Sequence, residues 1–118
     1  MERNQVEREK REVYEFPNGR TYEGTWLKGT HTIDGYGKLE TPEGEKYEGE
    51  FCYNVRSGKG RQVYPNGDVY EGMFKNDIRH GKGVLESADG SRYEGDFAIN
   101  RKNGYGVFVW YHGGRYEG

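Results

Sequence analysis

Aromatic residues and glycine alternate with charged residues along most of this chain. Around Tyr22, the residues Tyr22, Gly24 and Trp26 occupy every second position, and Glu23 lies between them. Side chains alternate between the two faces of a β-strand, so this pattern predicts a strand with one aromatic and one charged face. The charged face of the predicted strands carries one glutamate in each of four stretches: Glu23, Glu48, Glu71 and Glu94.

The pattern returns at a nearly fixed interval. The tripeptide Tyr-Glu-Gly occurs five times, and its tyrosines are separated by 25, 23, 23 and 23 residues. A period in this range is typical of repeat architectures, in which each unit is one small supersecondary element. The tyrosines that begin these units are Tyr22, Tyr47, Tyr70, Tyr93 and Tyr116.

A short turn precedes each repeated tyrosine. Pro65-Asn66-Gly67 is one example, and its Gly lies three residues before Tyr70. Pro followed by Gly at this spacing predicts a three-residue hairpin loop with a bulge at its end. The loop fixes a register in which Gln62 faces Tyr70. The same arithmetic elsewhere brings opposite charges together across the strands, as in Lys38 with Glu48, which supports the predicted register.

A second connection follows each tyrosine-containing strand, and we expect it to be longer than the first. Each of these connections ends in Gly-x-Gly, and the first has two additional residues within 27–34. Asn54, Asp77 and Asn100 occupy the position that Gly29 has in the first connection. Asn and Asp are the residues other than Gly that best tolerate a left-handed backbone, so these positions are predicted to be turns.

Together these signals predict an all-β fold over residues 13–118. The architecture is an elongated, twisted antiparallel meander of stacked β-hairpins with no central globular core. It comprises four repeats, beginning at Tyr22, Tyr47, Tyr70 and Tyr93, with partial units at both ends. About nine or ten strands at about 4.8 Å each give a long axis of about 45 Å. Glycine on the aromatic face leaves room for rings of neighbouring strands.

Residues 1–12 differ from the rest of the chain because they are nearly all charged and contain no glycine. The spacing of Arg8 and Glu12 suits an ion pair on a helix, but the segment has no apolar face to bury. We therefore expect a solvated tail, either disordered or a frayed helix. The alternative is a cap on the sheet or an arm held by a partner.

Composition limits the possible functions. The net charge of −2 gives no reason to expect nucleic-acid binding. No apolar run approaches the length of a membrane span. The single cysteine, Cys52, cannot form an internal disulfide and fits a reducing, cytoplasmic compartment.

The repeated residues resemble those of the MORN-repeat family. The family pattern is Tyr-x-Gly-x-Trp/Phe, followed by Gly-x-Gly and then a turn Gly. One full unit of this chain matches it at Tyr47, Gly49, Phe51, Gly58, Gly60 and Gly67. The resemblance extends over residues 13–118, with the two-residue insertion in the first repeat.

What the resemblance implies about function is less specific. It implies a scaffold or adaptor, often in cilia, flagella or other cytoskeletal assemblies, and the most similar type is a radial spoke head component of the axoneme. It also implies two alternatives. One is a module that contacts membrane phospholipids, and the other is the repeat segment of a larger enzyme.

The predicted interaction surface is a groove on the aromatic face that would hold a helix or an extended peptide of another protein. Tyr and Trp are enriched in interaction hot spots. The alternative is that these rings simply pack on glycine and on each other. The predicted groove residues are Tyr22, Trp26, Tyr47, Phe51, Tyr70, Phe74, Tyr93, Phe97, Phe108 and Trp110.

Two other binding features are predicted. Arg56, Arg79 and Lys102 recur at one position of successive repeats and would form a basic rim able to meet an anionic membrane surface. Residues 115–118 would form an open edge strand, which could pair with a strand of another protein.

No catalytic, cofactor or metal site is predicted. His31, His80 and His112 lie in different repeats, and none has metal-ligand spacing from another His or from Cys52. The Gly-x-Gly units lack the remainder of a phosphate-binding loop. The glutamates recur in every repeat and therefore indicate a lattice, so we expect a protein that is not an enzyme.

Overall fold

The computed structural model of this chain describes residues 7–118, which form one antiparallel sheet. Sheet order follows chain order, except that the short β2 lies beside β3 on the same side as β1. The sheet measures 51 × 33 × 17 Å, slightly longer than the expected 45 Å. The strands are β1 (Arg8–Lys10), β2 (Tyr14–Glu15), β3 (Thr21–Leu27), β4 (Ile33–Glu40), β5 (Lys46–Cys52), β6 (Val55–Val63), β7 (Val69–Lys75), β8 (Ile78–Glu86), β9 (Arg92–Ala98), β10 (Arg101–Val109) and β11 (Arg115–Glu117).

The register predicted from the short turns is confirmed. Gln62 faces Tyr70 across β6 and β7, and Lys38 faces Glu48 across β4 and β5. The all-β meander of stacked hairpins is confirmed as well. A slip of one residue between two strands would move every ring of the slipped strand to the opposite face of the sheet. The confirmed register therefore also fixes which face carries the rings.

The core is a single layer of rings on one face of the sheet, which we call the aromatic face. Eight of its nine buried hydrophobic residues are aromatic. The opposite side, which we call the carboxylate face, exposes the repeated glutamates. The core residues are Tyr22, Trp26, Ile33, Tyr47, Phe51, Tyr70, Phe74, Tyr93 and Phe97.

The second connection in each hairpin is shorter than the sequence suggested. Between β5 and β6 it consists of Tyr53 and Asn54 alone, with φ of 47° and 70°, as a type I′ turn requires. The Gly-x-Gly segments lie inside the strands that follow, so the expectation that they end long turns is wrong. The longer connection in the first hairpin, residues 28–32, agrees with the predicted insertion.

The two glycines of Gly-x-Gly have different roles, as β6 shows. Gly58 has φ of +90° and lies where the register between β5 and β6 shifts. Gly60 faces Gly49 and lies beneath the ring of Tyr47, where a Cβ atom would overlap the ring. The first glycine therefore permits a bulge, and the second leaves room for the aromatic ring.

Part of the charged N-terminal segment is a strand. Residues Arg8, Glu9 and Lys10 of β1 pair with the end of β3. The Arg8 guanidinium Nε lies 2.8 Å from Oδ1 of Asp34, a carboxylate with no exposed surface. The expectation of a solvated tail or frayed helix is therefore wrong for β1, and the alternative of a cap describes it. Residues 1–6 lie outside the described residues.

Two further contacts hold this strand. The Glu9 carboxylate accepts hydrogen bonds from the Gly29 backbone N–H at 2.7 Å and from Arg11 at 2.6 Å. These contacts lower the pKa of Glu9, the Gly29 hydrogen bond having the larger effect. The Arg11 guanidinium lies 5.0 Å from the Trp26 ring centroid, so the cap also covers the first ring of the core.

We expect Gly60→Ala to destabilise the chain by about 3 kcal/mol or more, because the new methyl group displaces the ring of Tyr47, which extends from the neighbouring strand β5. Gly44→Ala is the matched control: Gly44 has φ of +95° but no atom near its Cβ position. Only backbone strain, about 1–2 kcal/mol, applies there. Urea unfolding measures both variants, and equal losses would contradict the assigned role of Gly60.

Arg8→Ala is expected to lower the free energy of unfolding by about 1–3 kcal/mol, because the buried Asp34 carboxylate loses a charged donor. Adding Asp34→Asn removes the charge that Arg8 balances, so the double variant should lose less than the sum of the two single variants. Additive losses in urea unfolding would show that β1 is held by other contacts.

Candidate interaction surface

A continuous chain of edge-to-face contacts joins eight rings on the aromatic face. Tyr70 lies 5.1 Å from Phe74 on its own strand and 5.0 Å from Phe97 of the next hairpin, with interplanar angles of 86° and 84°. This geometry matches the quadrupoles of the rings. Centroids are 4.9–5.5 Å apart along the series Trp26, Tyr22, Phe51, Tyr47, Phe74, Tyr70, Phe97 and Tyr93.

The tyrosine hydroxyls are satisfied within the sheet. Tyr70 donates to the Met73 carbonyl oxygen at 2.8 Å, and Tyr47 donates to that of Glu50 at 2.8 Å. Burial of the ring raises the pKa of Tyr70 to about 12, although the hydrogen bond to Met73 and the nearby Arg79 oppose the shift. Burial likewise raises the pKa of Tyr22 to about 12. These hydroxyls therefore stay protonated and act as structural donors.

Besides Arg11, three cations from equivalent positions of successive hairpins lie over rings. The Arg56 guanidinium is 5.1 Å from the Phe74 centroid, and that of Arg79 is 5.4 Å from the Phe97 centroid. Lys102 Nζ is 5.0 Å from the Phe108 centroid. Arg56, Arg79 and Lys102 thus occupy one position in three successive hairpins and cover the ring layer from above.

The backbone of this position is fixed by the next hairpin. The Arg56 N–H donates to Asp77 Oδ1, and the Asp77 N–H donates back to the Arg56 carbonyl, both at 2.9 Å. Arg79 and Asn100 repeat the arrangement at 2.8 and 3.1 Å. Each two-residue turn therefore binds the strand one hairpin earlier and aligns the cations in a row.

The structure places most of the predicted groove residues in the interior. Tyr22, Trp26, Tyr47, Phe51, Tyr70, Phe74, Tyr93 and Phe97 are at most 7% exposed, so the alternative, rings packed on glycine and on each other, describes them. Phe108 is half-buried, and Trp110 is 39% exposed. A protein on this face would contact the covering cations and the last two rings. That such a partner binds there remains a prediction.

The predicted basic rim has a different geometry from the one expected. Arg56 and Arg79 are half-buried over the rings, and only Lys102 of the three is exposed. Arg56 is also paired with Asp77, at 2.9 Å. Strand alternation alone could not predict this placement, because the bulge at Gly58 lies between Arg56 and Gly60.

The predicted edge strand is β11. It pairs with β10 through Phe108 and Tyr116, and Gly118 exchanges two backbone hydrogen bonds with Gly106. In the turn that precedes β11, Tyr111 is 68% exposed. Pairing of this edge with another protein remains a prediction.

Stacked hairpins that pair in sequence order, with one aromatic and one charged face, define the class of repeat proteins in which each unit contacts its neighbours. The family described as MORN repeat matches residues 47–69, 70–92 and 93–115, which together make up more than half of the chain. The chain belongs to the MORN-repeat family. Each matched segment begins at one of the repeated tyrosines.

Two other comparisons add little to this assignment. No curated protein matches the chain. Among solved structures, the chain is similar to the TCP domain of SAS-4 (dCPAP) of Drosophila melanogaster, determined in complex with a proline-rich motif of Ana2 (dSTIL). That match has 18% identity and a TM-score of 0.47, and it covers 89% of this chain and 69% of the other.

Across residues 7–118, the structure has no helix with the length and apolar character needed to cross a bilayer.

We expect the repeated tyrosines to control stability at alkaline pH. The folded-state pKa of Tyr22 and Tyr70 is about 12, against an ordinary value of 10.0, so the fold favours the neutral form. The stability that these tyrosines contribute is complete at pH values below their ordinary pKa of 10.0 and is lost as pH rises through about 12. Tyrosinate absorbance and circular dichroism, followed together, should show these groups ionising with unfolding. Tyr70→Phe should remove one of the tyrosines that ionise late. Ionisation of every tyrosine near pH 10 in a chain that is still folded would contradict the raised pKa of Tyr22 and Tyr70.

Proposed function

We propose that this chain is a non-catalytic scaffold of the cytoplasmic cytoskeleton that holds other proteins within a ciliary or flagellar axoneme, as a radial spoke head component does. The observation that carries the proposal is the pair of exposed aromatic side chains at the turn between β10 and β11. Trp110 and Tyr111 are 39% and 68% exposed. Exposed aromatic residues on a rigid support are typical of protein interaction sites.

The placement of the cations favours a protein over a membrane as the partner. An anionic membrane attracts cations that project from a surface. Two of the three cations that were expected to form a rim, Arg56 and Arg79, lie instead against the ring layer. Membership of the MORN-repeat family supports an interaction role in general. The axonemal setting rests on the family resemblance.

The test is to express the tagged chain in ciliated cells and to extract them with detergent. We expect the chain in the detergent-resistant axonemal fraction. The paired variant Trp110→Ala and Tyr111→Ala should shift it to the soluble fraction. The control pair, Tyr53→Ala and Ile99→Ala, also removes exposed apolar residues, at the opposite turns, and should leave the distribution unchanged.

Two results would overturn the proposal. The first is a wild-type chain that is fully extracted by detergent. The second is salt-sensitive flotation with vesicles that contain anionic lipid, which would assign the surface to membranes.

A further inference from the structure

Arg56 and Arg79 lie at equivalent positions on the aromatic face and differ in how their charge is balanced. Arg56 is neutralised within the chain: its Nε lies 2.9 Å from Asp77 Oδ1, and its Nη1 lies 2.9 Å from the side-chain oxygen of the buried Gln62. Gln62 in turn donates to Glu45 at 2.8 Å. This cation needs no further anion.

Arg79 lacks both of these partners. Asn100 occupies the position of Asp77, and Leu85 occupies the position of Gln62. The hydrogen bond that its guanidinium makes to the described chain runs from Nη2 to the Asn100 carbonyl, and Nε has no acceptor. No described carboxylate lies within 4.0 Å of Arg79. A half-buried cation over apolar rings is thus left without a counter-charge.

Lys102 lies at the equivalent position of the next hairpin, 5.0 Å from the Phe108 ring centroid. Around Arg79, the half-buried side chains of Tyr64 and Leu85 lie on the same face. This part of the aromatic face therefore combines an uncompensated cation with accessible apolar surface.

We infer that the aromatic face around Arg79 binds an acidic, extended segment of a partner protein, with a carboxylate that pairs with Arg79. The inference rests on the proposed function and specifies the chemistry of the partner. Apolar residues beside that carboxylate would contact Leu85.

A protein segment suits this surface better than a membrane does. A carboxylate on an extended chain can approach a guanidinium that lies against rings and is partly covered by its surroundings. The headgroups of a membrane form a plane, and they meet charges that project from a surface. The Arg79 guanidinium lies only 5.4–5.8 Å from the centroids of three rings, Tyr64, Tyr70 and Phe97.

The test uses the purified chain and a fluorescein-labelled peptide of repeated Glu-Pro-Leu triplets, with a Gln-Pro-Leu peptide of equal length as the neutral probe. Fluorescence anisotropy at low and at high salt reports binding. We expect the acidic peptide to bind, the neutral peptide to bind at least about threefold more weakly, and salt to weaken only the former.

The chain contains its own control variants. Asn100→Asp recreates beside Arg79 the partner that Arg56 already has, and should weaken acidic-peptide binding at least about threefold without removing a cation. Asn54→Asp adds the same charge at the equivalent turn beside Ile33 and should have no effect. Asp77→Asn frees Arg56 and should strengthen binding. Arg79→Met should weaken it, whereas Lys59→Met on the carboxylate face should not.

The inference would be overturned if the Asn100→Asp and Asn54→Asp variants had equal affinity for the acidic peptide. Equal affinity of the unaltered chain for the acidic and neutral peptides would overturn it as well. Binding to anionic vesicles that is lost in Asn100→Asp, with no peptide binding, would overturn it in favour of a membrane. Circular dichroism shows whether each variant is folded. If Asp77→Asn is unfolded, the comparison of Asn100→Asp with Asn54→Asp still tests the inference. A chain that still fractionates with axonemes but ignores acidic peptides would leave the proposed scaffold role intact.

Discussion

The contact between a tyrosine ring and a glycine on the neighbouring strand is the constraint on which the rest of the structure depends. Because Gly60 has no side chain, the ring of Tyr47 lies close to its backbone and its hydroxyl reaches the Glu50 carbonyl. The ring edge then meets Phe51 and Phe74. Each ring thereby connects two hairpins, and a sheet with few aliphatic residues gains a buried layer without a second sheet or a helix to cover it.

Most of the fold was readable from the sequence because it depends on local, repeated signals. The turn glycines set the register, and the period-2 pattern set the faces, as Gln62 opposite Tyr70 shows. The N-terminal strand could not be predicted in this way. It is held in part by Arg8 reaching the buried Asp34, a contact between a charged segment without periodicity and the second residue of β4.

The interaction surface was less predictable than the fold. The sequence identified the rings but could not decide between an open groove and a closed layer, because that depends on whether Arg56 and Arg79 extend over the rings or away from them. Once the bulge at Gly58 places Arg56 above Phe74, the ring layer is covered, and the differences between repeats become more informative than the repeat itself. Asp77 and Asn100 differ by one functional group, yet they leave the two arginines in different electrostatic states.

The uniform register between hairpins has a consequence for how such chains can change in length. Tyr47, Tyr70 and Tyr93 each make the same edge-to-face contact with the phenylalanine of their own strand. Any one 23-residue unit could therefore be removed or duplicated without creating a new kind of junction. Each unit adds two strands, or about 9.6 Å, to the long axis. The long axis of such a sheet therefore changes in fixed steps with the number of units, while the few side chains that vary among the units give each step a different surface.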